Sequence, residues 1–208
     1  MIDLPFILAS ASSEIPTEYP TWGEAGLYLL GIAFFLLLNA FFVASEFAIV
    51  KVRPGQIEGE LESKPKRAGI AKFVVGNLDG YLSANQLGIT IASLALPFLG
   101  EPFIKSLVAP SLVSLDLSEK VIKGISYTVA MGSFTFLHVV IGELLPKSIA
   151  IRKSLGTTLV IARPLHIFYW IFRPVIFILN GTANFLLKNI FKIDPVSDIE
   201  TINTELAL

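Results

Sequence analysis

The chain has 208 residues, of which 53% are hydrophobic and 16% charged, against roughly 25% charged in an average soluble domain; its mean hydropathy is +0.70. Its 16 basic and 17 acidic residues leave a net charge of -1, so no global field points to nucleic acid or another polyanion. The lack of cysteine excludes disulfide scaffolds, thiolate metal sites and cysteine nucleophiles, and two histidines, His138 and His166, are too few for a histidine-rich metal centre.

These properties describe an all-α membrane protein. Residues 1–24 carry a short apolar patch, PFILASAS, with Asp3 in place of the basic n-region of a secretory signal. They read as an extracytoplasmic arm. The stretch 27–50 holds one ionisable group, Glu46. It exceeds the roughly 20 residues that cross a 30 Å hydrocarbon core, and is expected to be the first transmembrane helix. A charge-dense loop follows, with Lys51, Arg53, Lys64, Lys66, Arg67 and Lys72. By the positive-inside rule this loop is cytoplasmic and the N-terminus lies outside.

Residues 81–100 and 124–145 are expected to be the second and third spans, joined on the outside by the mixed-charge segment from Glu101 to Lys123. Lys147, Arg152 and Lys153 then fall on the cytoplasmic side with the first basic loop. Residues 165–187 are also apolar, yet a fourth span would place Arg173 and Pro174 near the midplane. A lone arginine there costs about 2.5–3.5 kcal/mol. The expectation is therefore three spans plus a cytoplasmic juxtamembrane belt over 155–190. In the belt Arg163, Arg173, Lys188 and Lys192 snorkel to headgroups, beside Tyr169 and Trp170. A polar tail, 191–208, completes the chain.

Polar groups inside a bilayer must be satisfied or functional. Asn39 and Glu46 are seven residues apart, about 20° apart on the helical wheel, whereas Ser45 points elsewhere. In the second span Ser83, Gln86, Thr90 and Ser93 fall within about 80°, with Asn85 on the opposite side. Such a ladder serves either helix packing or ion binding. The third span ends in GELLPK, where Pro146 has no N–H to give to the Gly142 carbonyl. That oxygen is freed beside Glu143. A neighbouring hydroxyl would satisfy it in a simple kink; an ion would in a binding site. Carboxylate, loosened carbonyl and neutral oxygens suit a hard cation, Mg²⁺ or Ca²⁺, better than a softer metal.

Three ordered strings, NAFFVASEFAIV (39–50), YLSANQLGITIASLALPFLGEP (81–102) and HVVIGELLPKSIAI (138–151), closely resemble the transmembrane domain of the CorC/CNNM (cyclin M) magnesium transporters, hemolysin-like proteins in bacteria. The resemblance covers about residues 25–190. It implies a homodimer in the inner (plasma) membrane, three transmembrane helices with juxtamembrane helices, and Mg²⁺ extrusion coupled to Na⁺ entry. It further implies a largely dehydrated Mg²⁺ between the helices. Relatives carry SxxxSxSE in the first helix. Here Asn39 and Val43 replace two serines, while Ser45 and Glu46 match. Ser83 and Gly88 match in the second helix, but Ile89, Thr90 and Ser93 stand where some relatives have asparagines. Gly142, Glu143, Pro146 and Lys147 match the third motif.

The metal ligands expected on this basis are Asn39, Ser45, Ser83, Gln86, Thr90, Ser93, Gly142 and Glu143; Glu46, Gly88, Pro146 and Lys147 serve the ion path or the bending of the bundle. Relatives continue into an ATP-binding pair of cytosolic CBS domains, so the chain is expected to correspond to the membrane domain alone. One alternative is a non-transporting Mg²⁺ sensor or scaffold. Another is an intramembrane hydrolase, since NLDG (77–80) resembles an element of intramembrane zinc proteases. That chemistry also needs HExxH, and on an α-helix His138 and Glu143 lie about 140° apart. The chain is accordingly expected not to be an enzyme.

Overall fold

The computed structural model describes residues 15–115 and 117–192, and they form helices joined by short turns with no strand. The expected outer arm and polar tail fall mostly outside the described residues. Helix α1 is Trp22–Lys51, α2 Pro54–Glu58, α3 Pro65–Gly76 and α4 Leu78–Val113. Helix α5, Glu119–Leu137, runs through a π-helical turn, His138–Leu144, into α6, Leu145–Arg152; α7 is Ser154–Asn189.

The start of α1 is written in its sequence. Thr21 is the N-cap and forms a capping box with Glu24, whose Oε2 accepts from the Thr21 N–H at 2.8 Å. Pro54 and Pro65 open α2 and α3, where a missing N–H costs nothing. The basic loop is thus folded into two short helices. Lys72 Nζ lies 2.7 Å from Glu58 Oε1, and Lys64 Nζ 2.8 Å from Glu60 Oε2. Hydrogen bonds from these ammonium groups hold both carboxyls below their ordinary range. Their contribution is therefore present above that range and is lost as pH falls through it. Both carboxylates are solvated, so the contribution is small.

The expected boundaries are corrected in two places. Helix α4 does not stop at residue 100 but continues through Pro97, Pro102 and Pro110 to Val113. Its far end is held by packing: Phe103, Ser106 and Ala109 are buried, and the Tyr28 ring stacks on Phe103 at 5.6 Å. The connection to α5 is correspondingly shorter than the expected outside segment. The second correction concerns the belt. In place of several juxtamembrane helices, 154–189 form one helix of 36 residues through Pro164 and Pro174, about 54 Å long. Four helical segments, not three, are long and apolar enough to cross a membrane: Trp22–Lys51, Leu78–Val113, Glu119–Arg152 and Ser154–Asn189. Arg173 is accommodated with its guanidinium 4.8 Å from the Trp170 ring centroid.

The bundle is built around α1, which packs against α4, the π turn, α6 and α7. A hydrophobic core cluster lies at one end, where Phe42, Ile49 and Val52 of α1 meet Ile57, Ala68, Ala71, Val74, Tyr81 and the first half of α7 through Leu159, Ile161, Ala162 and Leu165. Beyond Ile176 no residue of α7 is buried. Elsewhere the outward faces carry exposed Leu30, Phe34, Leu37, Phe98 and Phe136, the surface expected where the solvent is hydrocarbon.

Candidate functional site

The site begins with the defect at Pro146. With no N–H to close the α-helical ladder, the chain widens into the π turn His138–Leu144, and the Leu145 N–H donates back to the Val140 carbonyl. The Gly142 carbonyl accepts from Asn39 Nδ2 of α1 at 3.0 Å. Its partner is thus an amide from the first span, not the hydroxyl that a simple kink would use. Glycine at 142 permits this approach. A Cβ there would stand 2.8 Å from His138 Cδ2, 3.1 Å from Asn39 Nδ2 and 3.3 Å from Leu36 Cδ1.

Asn39 Nδ2 also lies 3.2 Å from His138 Nε2, and that nitrogen is 3.7 Å from Glu143 Oε1. The π turn corrects the angular argument made on an α-helix. Its hydrogen bonds run i→i+5, so His138 and Glu143, five residues apart, come to the same side. Asn39 itself is fully buried, and its Oδ1 has no hydrogen-bond partner. A carbonyl oxygen at a distorted turn, an orphan amide oxygen and a carboxylate therefore gather at one level of the bundle. Among the described residues no group of three or more His, Asp or Glu converges on a point, so the donors here are mainly neutral oxygens. Hard cations accept such a set.

The remaining expected ligands are placed differently. Ser45 is buried but donates to Phe41 O of its own helix at 2.7 Å. Ser83 Oγ donates to Asp79 O at 3.0 Å and to Asn180 Oδ1 of α7 at 2.8 Å. Thr90 donates to Gln86 O and Ser93 to Thr90 O, and Gln86 and Thr90 are exposed. The oxygen ladder of α4 therefore stands off the line that meets α1. That line is Ala84, Asn85, Gly88, Ala92 and Leu96, all buried. Gly88 lets the Phe42 ring lie against the α4 backbone. Glu46 is partly exposed, and Lys147 Nζ sits 4.4 Å from the Phe47 ring centroid near the end of α1. Gly142, Glu143 and Asn39 are brought together; the α4 hydroxyls are not joined to them.

Asn85 was set aside for lying opposite the ladder, yet it is fully buried and neither Oδ1 nor Nδ2 has a partner. The signal was its spacing: three residues before Gly88, it shares the face that meets α1.

The helices and this polar centre define a polytopic helical membrane protein with an oxygen-lined interior. A family model for the cyclin M transmembrane N-terminal domain matches residues 30–206. The chain belongs to that family. It is 47% identical over 179 residues to the UPF0053 protein YhdT of Bacillus subtilis, covering 86% of this chain and 38% of that protein. Over 86% of this chain it is 42% identical to YugS of the same organism, covering 42% of it. A Mycobacterium tuberculosis relative, UPF0053 protein MT1890, is 30% identical over 78% of this chain and 36% of its own length. The chain thus spans about two fifths of the curated relatives it matches.

Proposed function

We propose that the chain is the membrane domain of a Mg²⁺ transporter that extrudes the ion in exchange for Na⁺, as a homodimer in the plasma membrane. The observation that carries this reading is the π turn at His138–Leu144, which brings the Gly142 carbonyl to the buried amide of Asn39 beside Glu143. Distorted backbone at membrane depth is tolerated where it lines a cavity or binds an ion. Asn39 Oδ1, the second lone pair of Gly142 O and a Glu143 oxygen supply three ligands of a six-oxygen shell, with waters or further side chains completing it. Glu46 stands nearer the end of α1 and attracts the cation to the mouth. Membership of the cyclin M family favours Mg²⁺ as the cargo.

The decisive experiment is Mg²⁺ flux from proteoliposomes with and without a Na⁺ gradient, for the wild type and Glu143→Ala. Flux is expected in the wild type, to rise with the gradient, and to fall at least about tenfold in the variant, the scale of losing one metal ligand or its support. Flux indifferent to the substitution would sink the site. Mg²⁺ binding with no flux would mark a sensor.

The proposed orientation has the N-terminus outside and α7 ending in the cytoplasm. It is supported by α3, the helix of the basic loop, which packs on the first half of α7 and so draws it to the level of that loop. A reporter fused after Lys192 should be active only as a cytoplasmic enzyme. Activity of an extracytoplasmic reporter there would mean that α7 crosses.

A further inference from the structure

Asn85 is the one asparagine whose whole amide is buried and unpartnered among the described residues. An amide in that position is costly unless something the protein binds completes it. Its surroundings can be read from the register of the two helices. Tyr28 stacks on Phe103, a Cβ on Gly31 would meet Leu99, and the Phe42 ring fills the space over Gly88. These pairs advance in opposite directions, so α1 and α4 are antiparallel. One turn beyond Phe42 on α1 is Ser45, and one turn before Gly88 on α4 is Asn85. The two lie level, and both are fully buried. Ser45 donates its O–H to Phe41 O, which leaves its oxygen lone pairs able to accept.

Level with Ser45, the sequence neighbour of Glu46, Asn85 is six residues of α1 away from Asn39 along the axis, about 9 Å. Ligands of a divalent cation of Mg²⁺ size sit about 2.1 Å from it. Side chains also tilt toward the N-terminus of their own helix, so on antiparallel α1 and α4 the two amides lean apart and one ion does not touch both. We propose that Asn85 and Ser45 form a second, separate oxygen station for the divalent cation, between the Glu46 mouth and the Asn39–Gly142 centre. Asn85 Oδ1 is the ligand, and its Nδ2 donates to Ser45 Oγ when the station is filled. This deepens the transport reading above and rests on it.

The test is the substitution Asn85→Leu, read by thermal unfolding of the purified chain in detergent with and without MgCl₂, and by Mg²⁺ flux in proteoliposomes. Leucine removes two unpaired polar groups from an apolar setting. The Tm without Mg²⁺ should therefore rise by about 2–4 °C, the shift that a modest gain gives a chain of this size. Flux should nevertheless fall about tenfold, as for loss of a metal ligand, and the stabilisation by MgCl₂ should shrink. Asn85→Ser, which keeps an oxygen, should recover part of the flux, and Asn85→Ala is read in the same way if the leucine variant does not fold. A drop in Tm without Mg²⁺ accompanied by normal flux would make Asn85 a packing residue and overturn the proposal. Normal flux in Asn85→Leu with lost flux in Glu143→Ala would overturn the second station and leave the first intact. Normal flux in both would overturn the site itself.

Discussion

Asn39→Leu is expected to reduce Mg²⁺-dependent stabilisation and to cut flux at least about tenfold, toward the upper part of the roughly 10–100-fold range for a residue that both binds and supports a metal site. Two effects combine. The substitution removes the unpartnered Oδ1, and it removes the Nδ2 that donates to Gly142 O at 3.0 Å and lies 3.2 Å from His138 Nε2. The carbonyl that Pro146 leaves free would then be buried with no donor, at a cost of about 1–3 kcal/mol. The variant should thus unfold earlier even without Mg²⁺, by a margin that thermal unfolding in detergent resolves. Asn85→Leu should move the apo stability the opposite way, since its amide donates to nothing. An Asn39→Leu protein with wild-type flux and unchanged MgCl₂ stabilisation would remove the centre from the ion path.

The second large effect is steric. Gly88→Ala would press a methyl group into the Phe42 ring. That ring has nowhere to go, because it is packed by Phe41 at 5.0 Å and Phe168 at 4.6 Å and is 1% exposed. Overpacking of this kind costs about 1–3 kcal/mol, whereas alanine for glycine in an unobstructed helix gains roughly 0.5–1 kcal/mol. The sign of the change is therefore diagnostic. Gly132→Ala, where a Cβ meets nothing within 4 Å, should stabilise, and Gly88→Ala should destabilise. Phe42→Leu in the Gly88→Ala background should restore part of the loss, giving a coupling of about 0.5–3 kcal/mol in a double-mutant cycle. Equal, favourable shifts at both glycines would show that α1 and α4 do not approach closely at this point.

The long helices were legible because 20 or more apolar residues have few other fates in lipid. Their ends were less so. Proline is read as a stop, yet Pro102 and Pro110 lie inside α4, whose far end is packed through Phe103 on Tyr28 and through buried Ser106 and Ala109. Arg173 argues against a fourth span through 165–187, and its stacking on Trp170 is a local compensation that a hydropathy count does not contain. At the site, the consequence of Pro146 for Gly142 was readable from backbone chemistry alone. That the helix answers by a π turn, and so turns His138 toward Glu143, was not, since wheel angles assume the α period. The α4 ladder shares one face, as its spacing implies, and that face is turned away from α1. A wheel reports which residues share a face, and only the close approach at Gly88 tells which face meets α1.

The Phe42 ring has a mechanical consequence. It is wedged between the α4 backbone and Phe168 of α7, and it sits one turn from Asn39. Close-packed rings do not yield one at a time. A tilt of α7 must either drag that turn of α1 with it, shifting Asn39 against Gly142, or open a void the size of a benzene ring in the buried core. In engineering terms Phe42 is a cam follower: lateral play in α7 would be converted there into axial play at the buried amide.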